Sequence, residues 1–306
     1  MLKKHIERPV FHNGVIIPYD EARIHVMSPA LKYGAAVYEG IRAYWNEEKG
    51  QLYVFRPKDH ARRLMNSIKL MCMQTEFSLE SLCQAVLNTL RASQFHQDLH
   101  IRQCVFVDGA GGIGATDPVG ISIVPVPTGR SLNQDGIHMG VSSWTRIHDN
   151  SMPARIKCVA NYQNGRLAQL QATLDGYDVP LLLDNRGKVA EAPTATFFLV
   201  RNGTLITCPL TSGVLESITR ETILQMARES SEFGAEVREI DRTELYLAEE
   251  AFLCGTAAEV TPVLSIDHRA LGDGAAGDLT KKIRSAYLSI ACGESEAHAD
   301  WRTAVY

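Results

Sequence analysis

The chain has 306 residues, 45% hydrophobic and 22% charged, with a formal net charge of −4. At roughly 100–200 residues per domain this predicts two domains or one large one, with a core that needs neither metal nor disulfide. The acidic balance excludes nucleic-acid binding driven by bulk basicity, no apolar run reaches the about 20 residues of a membrane span, and no apolar signal region follows Met1.

Phe11-His12-Asn13-Gly14-Val15-Ile16-Ile17 carries an Asn-Gly turn between apolar runs and predicts a hairpin. Gly40 to Tyr44 and Gln51 to Phe55 predict a second hairpin. Pro57 then opens a helix with Leu64, Ile68, Leu70 and Met71 on one side. Ser78 to Arg91 predicts another, striped by Leu79, Leu82, Val86, Leu87 and Leu90. Ile101 to Val107 and Val119 to Val126 are strand-like, and the first domain ends at residue 127. The polar, turn-rich Pro127 to Gly136 reads as a linker. Beyond it strands are expected at Val179–Leu183, Thr196–Val200, Thr204–Thr207, Ala251–Leu253 and Glu259–Ile266. Helices are expected at Gly165–Leu174, Ile218–Ser230 and Leu279–Ile290. The mixture predicts an α+β fold with mostly local strand pairing rather than a βαβ array. The seven cysteines form no C-x-x-C pair and read as reduced thiols of a cytoplasmic protein without a metal site.

Gly109-Ala110-Gly111-Gly112-Ile113-Gly114 fits G-x-G-x-x-G, but Asp117-Pro118 and another strand follow instead of a helix. Without a helix N-terminus the pyrophosphate has no seat, so a glycine-rich turn between strands is the better account. Lys157 is the only lysine between Lys69 and Lys188. It sits in the apolar run Ile156-Lys157-Cys158-Val159-Ala160, where desolvation or a nearby cation would make its amine nucleophilic. A strand-edge lysine reaching solvent is the plainer alternative. Leu215 to Thr222 runs straight into an amphipathic helix, whose first N–H groups and the Thr219 hydroxyl suit a phosphate, although Ser217 could simply cap it. Cys254 to Pro262 turns through small residues that let backbone N–H groups approach an anion. Glu191 lies among apolar neighbours, where a carboxylate could favour a protonated pyridine nitrogen. Arg63 could grip a phosphate in two-point fashion.

Five segments in this order resemble the class IV, or fold-type IV, pyridoxal-phosphate aminotransferases, branched-chain aminotransferases most of all. They are Tyr33 to Arg42, the H-x-x-R-L of His60 to Leu64, the K-x-x-x-N-Y of Lys157 to Tyr162, Ile218-Thr219-Arg220, and Gly255 to Glu259. The resemblance implies a small N-terminal α/β domain (1–127), an interdomain loop (128–137) and a larger C-terminal domain with a pseudo-barrel (138–306), both domains facing one cofactor. It implies pyridoxal 5′-phosphate on Lys157, which also moves the proton between substrate and cofactor. Glu191 would pair with the ring nitrogen and Tyr162 with the phenolate oxygen. Arg63, Ile218, Thr219 and Thr256 would hold the phosphate, with Leu215 a further cofactor contact. Thr256, Ala257 and Ala258 would receive the substrate carboxylate, and Tyr33, Tyr38, His100, Arg102 and Thr128 would line the pocket. An amino donor and a 2-oxo acid acceptor would react by a ping-pong mechanism. At least a homodimer is implied, with the Gly109–Gly114 loop reaching the neighbouring subunit.

The departures surround the substrate. His100-Ile101-Arg102 replaces the usual Tyr-x-Arg, Tyr38 a phenylalanine, and Thr128 with Ser131 an aromatic pair. A buried hydroxyl or imidazole penalises an apolar ligand that leaves it unpaired. The alternatives are therefore an (R)-selective amine or D-amino acid transaminase, an aminodeoxychorismate-lyase-like enzyme, a non-catalytic binding protein, or a dinucleotide-dependent dehydrogenase.

Overall fold

The computed structural model describes residues 9–129 and 132–306. Ser131 and the N-terminal segment before Pro9 lie outside the described residues. The chain divides into two compact units.

Unit 1 holds residues 9–129, Ile156–Ala160 and Ser289–Tyr306. Its elements are β1 (Pro9–His12), β2 (Val15–Pro18), α1 (Pro29–Tyr33), β3 (Ala36–Asn46), β4 (Gln51–Phe55), α2 (Pro57–Leu70), α3 (Leu79–Ser93), β5 (Leu99–Val107) and β6 (Val119–Pro127). With the C-terminal strand Arg302–Ala304 they build a seven-stranded sheet, ordered C-terminal strand, β4, β3, β5, β6, β1, β2. Every neighbouring pair is antiparallel. The Asn13-Gly14 turn closes β1 on β2 with both residues at positive φ, 46° and 94°, as a tight hairpin of this kind demands. Pro57 stands in the first turn of α2, and the side chains of Ser78 and Ser81 form a reciprocal cap on α3.

Leu64 and Ile68 of α2, Leu82 of α3, and Val37 and Val105 of the sheet share one core cluster. Leu70 does not join them and is 52% exposed. It lies six residues past Leu64, well round the helix from the apolar face, whereas Ile68 at i+4 stays on it. Ile156 and Cys158 belong to the same cluster, which ties Ile156–Ala160 to unit 1.

Unit 2 holds residues 132–155 and Asn161–Leu288. It contains β7 (Ile137–Thr145), α4 (Tyr162–Leu174), β8 (Val179–Leu183), β9 (Thr196–Arg201), β10 (Thr204–Thr207), α5 (Ile218–Glu229), β11 (Ala235–Val237), β12 (Glu250–Gly255), β13 (Glu259–Ile266) and β14 (Arg269–Ala270). The sheet order is β11, β10, β9, β12, β13, β7, β8, with β14 against β13.

Most strand pairs of unit 2 join consecutive strands, and the exceptions are β9 with β12 and β13 with β7. β7 pairs in parallel with β8 across α4 and in parallel with β13, which comes more than a hundred residues later. Period-2 patterning reports which face of a strand is buried, not which strand lies beside it. The chain division differs from an uninterrupted 138–306 domain. Ile156–Ala160 and Ser289–Tyr306 group with unit 1, because the first packs in its core and the last strand adds to its sheet edge beside β4.

Candidate active site

Each unit carries one cluster of candidate residues. In unit 1 Lys157 is fixed by its own backbone. Its N–H donates to the Ser67 hydroxyl at 3.1 Å, and its carbonyl accepts the Tyr38 N–H at 3.0 Å. The neighbouring Cys158 bridges to Val37, so the segment lies against the start of β3. The Lys157 ammonium stands 4.8 Å from the centre of the Tyr38 ring, and the Arg102 guanidinium 3.6 Å from it. Cations favour the negative face of such a ring.

The β3–β5 register sets the rest of this cluster. Tyr38 lies opposite Cys104, Gly40 opposite Arg102 and Arg42 opposite His100, so the five side chains of these residues share one face of the sheet with Gly40. Gly40 is small for a reason: a Cβ there would come within 2.8 Å of the His100 ring. Arg42 is buried and donates to the Thr128 and Gly129 carbonyls, at 3.1 and 3.4 Å. Thr128 is thereby tied to the same strands. Burial, then Arg42, Arg102 and Lys157, depress His100 to about 4, so its imidazole is neutral near pH 7. Tyr33 sits at the end of α1, 43% exposed, with the Lys32 ammonium over its ring.

On the opposite face of β3 lies a charged group that sequence reasoning did not single out. Glu39 is fully buried. Its carboxylate accepts Arg63 Nε at 2.8 Å and Nη2 at 2.6 Å, and meets His60 Nδ1 at 2.7 Å. Burial pushes the Glu39 carboxyl up, but Arg63 and His60 outweigh it and hold the group at about 2. Burial holds His60 below its ordinary value despite Glu39. Two nitrogens of Arg63 thus serve Glu39, and any phosphate must share this guanidinium. The sequence signal was present: His60 and Arg63 stand three apart on one helix face, and Glu39 interrupts an apolar strand.

In unit 2 Glu191 is 4% exposed. Its Oε1 lies 2.7 Å from Arg146 Nη2, and both its oxygens face the Leu215 N–H at 3.2 and 3.3 Å. Leu215 is therefore bonded to Glu191 through its backbone. Three residues later α5 begins. Ser217 Oγ accepts the Arg220 N–H at 3.2 Å, while the Ile218 and Thr219 amides have no acceptor four residues back. Thr219 is buried. Thr256, Ala257 and Ala258 form the turn that joins β12 to β13, anchored by the Thr261 hydroxyl on the Ala258 carbonyl. Tyr162 is the first residue of α4, next to Asn161, whose side chain donates to the Pro153 carbonyl. The Gly109–Gly114 loop joins the antiparallel strands β5 and β6, with no helix after it, so it cannot seat a dinucleotide.

This donor set suits pyridoxal phosphate. Unit 1 offers a primary amine beside an aromatic ring, and unit 2, by itself, a buried carboxylate suited to a ring nitrogen and a helix start with a buried hydroxyl suited to a phosphate. Among the described residues no group of His, Cys, Asp or Glu could hold a metal ion.

A family model described as amino-transferase class IV matches residues 36–266. The chain belongs to the class IV aminotransferases and is a pyridoxal-phosphate-dependent transaminase. Within that family it is similar to a probable branched-chain-amino-acid aminotransferase of Aquifex aeolicus, 38% identical over 100% of this chain and 99% of the relative. The branched-chain-amino-acid aminotransferase of Escherichia coli K12 is 37% identical over 95% of this chain and 96% of its own. The branched-chain amino acid aminotransferase of Thermobaculum terrenum, solved in its pyridoxal-phosphate form, superposes with a TM-score of 0.92 at 40% identity, covering 99% of both chains. These likenesses favour transamination of amino acids over the (R)-amine and D-amino acid alternative. Among the described residues no helix is long and apolar enough to cross a membrane.

Proposed function

We propose that this aminotransferase exchanges the amino group of branched-chain amino acids and glutamate with 2-oxo acids, by a ping-pong mechanism. The observation that carries the reading is Lys157, whose backbone is fixed through its N–H and its carbonyl and whose amine stands over the Tyr38 ring. The substrate class rests on the names of full-length relatives.

When bound, pyridoxal phosphate supplies a carbonyl carbon and a conjugated electron sink. Lys157 provides the amine that holds it and then moves a proton to and from the substrate α-carbon. Tyr38 keeps that amine oriented. Glu191 would accept a hydrogen bond from the protonated ring nitrogen, and Tyr162 would donate one to the phenolate oxygen. Arg63, the Ile218 and Thr219 amides and Thr256 would hold the phosphate, with Leu215 a further cofactor contact. The Thr256–Ala258 turn receives the substrate carboxylate. Tyr33, Tyr38, His100, Arg102 and Thr128 line the pocket. His100 is neutral and can donate or accept one hydrogen bond, as a tyrosine hydroxyl would.

The assembly is at least a homodimer, which the exposed Tyr33 supports as a residue placed to meet a neighbour. The chain divides into a small domain over 1–127 and a larger one from 138, with Ile156–Ala160 and Ser289–Tyr306 belonging to the smaller, a division that the two compact units support. Seven free thiols support a reducing, cytoplasmic compartment.

The test is a half-reaction panel in which the cofactor absorbance is followed after adding Leu, Ile, Val or Glu alone. Bleaching by all four is expected, and none with any of them removes the substrate reading. Borohydride reduction and peptide mapping should find the cofactor on Lys157. A label elsewhere removes the site.

A further inference from the structure

Glu191 does not stand alone, and its neighbour has no role so far. Arg146 Nη2 lies 2.7 Å from Glu191 Oε1, with the two side chains only 8% and 5% exposed. Arg146 is itself fixed from several sides. Its backbone N–H donates to the Leu183 carbonyl at 2.8 Å, and its Nε to the Gly213 carbonyl at 3.1 Å. Nη1 reaches Asn164 Oδ1 at 3.5 Å, and Asn164 in turn donates to the Thr145 carbonyl at 2.9 Å. Gly213 has φ +71°, and a Cβ there would meet the Ile147 carbonyl at 2.5 Å. Only glycine lets the chain pass this close, so the carbonyl that orients Arg146 is built into the backbone. The Leu215 N–H, two residues on, holds the carboxylate from another side.

We propose that Arg146 is a positioning residue for transamination: it fixes the orientation and the ionised state of Glu191, and so sets how firmly the protein keeps a proton on the cofactor's ring nitrogen. This rests on the assignment of Glu191 above. A buried carboxylate without a cation takes up a proton, because burial penalises its charge. A guanidinium bonded to one oxygen keeps it ionised and restrains its rotation. It also tempers the carboxylate's basicity, so that the proton stays on the ring nitrogen rather than passing to Glu191. Among the described residues Arg146 bonds Leu183, Gly213, Asn164 and Glu191, none of them assigned to the substrate, so its effect belongs to the chemical step rather than to amino-acid binding. It also lies on the wall of a cavity of about 300 Å³, shared with His148, Arg155, Asp184, Arg186 and Ser212. That cavity gives a small cation room to occupy the place of a truncated arginine.

The experiment compares R146Q, R146K, R146A and E191Q with the parent enzyme. R146Q should lower kcat by up to about 100-fold, the scale of a roughly 1 Å misplacement of a reacting group. Its KM for leucine should stay within about twofold. R146K should fall between, and guanidinium ion should restore part of the R146A rate. A readout free of catalysis uses the cofactor-free protein with carbon-13-labelled glutamate. There the Glu191 carboxyl should titrate at least about one pH unit higher in R146Q than in the parent. Unchanged kcat per bound cofactor together with an unchanged Glu191 titration overturns the proposal. If R146Q does not fold, R146K and the rescue of R146A decide it in the same way. If E191Q keeps full activity, the Glu191 assignment fails and the inference fails with it. If E191Q loses activity and R146Q does not, the inference alone fails.

Discussion

Each unit buries a carboxylate against an arginine, and the two pairs are held differently. Glu39 in unit 1 takes two nitrogens of Arg63 and the ring of His60, all at 2.6–2.8 Å. Glu191 in unit 2 meets one terminal nitrogen of Arg146 and the Leu215 amide, while Arg146 Nε goes to the Gly213 carbonyl instead. The first arrangement is a fork-on-fork clamp that joins a strand to a helix. The second shares its arginine with the backbone, and its carboxylate lies beside the loop that leads into α5. The same pair of residue types thus locks an element in one unit and presents a carboxylate in the other. What separates them is where the second arm of the guanidinium goes.

The largest expected effect falls on the clamp. E39Q should cost about 3–5 kcal/mol, because it removes the buried carboxylate charge that two nitrogens of Arg63 and the His60 ring face. Thermal or urea unfolding of the cofactor-free protein measures this, and a loss below about 1 kcal/mol would break the comparison.

Next in size is acid sensitivity in unit 1. His100 titrates near 4 in the fold against an ordinary 6.5, so the unfolded chain takes up that proton first. Its neutral burial therefore favours folding fully only above 6.5, and this contribution drains away as pH falls from 6.5 to about 4. The shift corresponds to about 3 kcal/mol. H100Q should flatten the stability profile over that window. Glu39 adds its own loss lower down, as pH falls from its ordinary 4.5 to about 2. If urea unfolding of H100Q and the parent gives parallel profiles between pH 6.5 and 4, His100 is not neutral in the fold.

The smallest effect is on the stability of unit 2. E191Q should cost about 1–3 kcal/mol in the cofactor-free protein, the range for an unsatisfied buried group. Arg146 keeps the Gly213 carbonyl and Asn164 as acceptors, whereas Arg63 gives Nε and Nη2 to the two oxygens of Glu39. Equal losses for E39Q and E191Q would mean that the two pairs are energetically alike, and the contrast between clamp and presented carboxylate would fall.

Much of the local architecture was legible in residue order. The Asn13-Gly14 hairpin, the Pro57 helix start, the Ser217 cap and the helix-free glycine loop each follow from short-range chemistry. Lys157 drew notice because a lone lysine in an apolar run is costly unless used. Arg146 carried no such signal, since nothing in Trp144-Thr145-Arg146-Ile147-His148 sets this arginine apart from others in the chain. Its importance comes from Glu191 and Gly213, some 45 and 67 residues away. Leu70 shows the reverse error, because an apolar residue near a stripe is not thereby on it.

From the sequence by itself come the positions of most helices and strands, the class IV motifs and the candidate amine. These depend on interactions within a few residues or on ordered motifs. Only the tertiary structure decided that β7 pairs with β8 and β13, that the last strand joins the first sheet, and that Arg63 and Arg146 each face a buried glutamate. Such choices depend on which distant segments exclude water together, and a buried charge finds its partner only when they do.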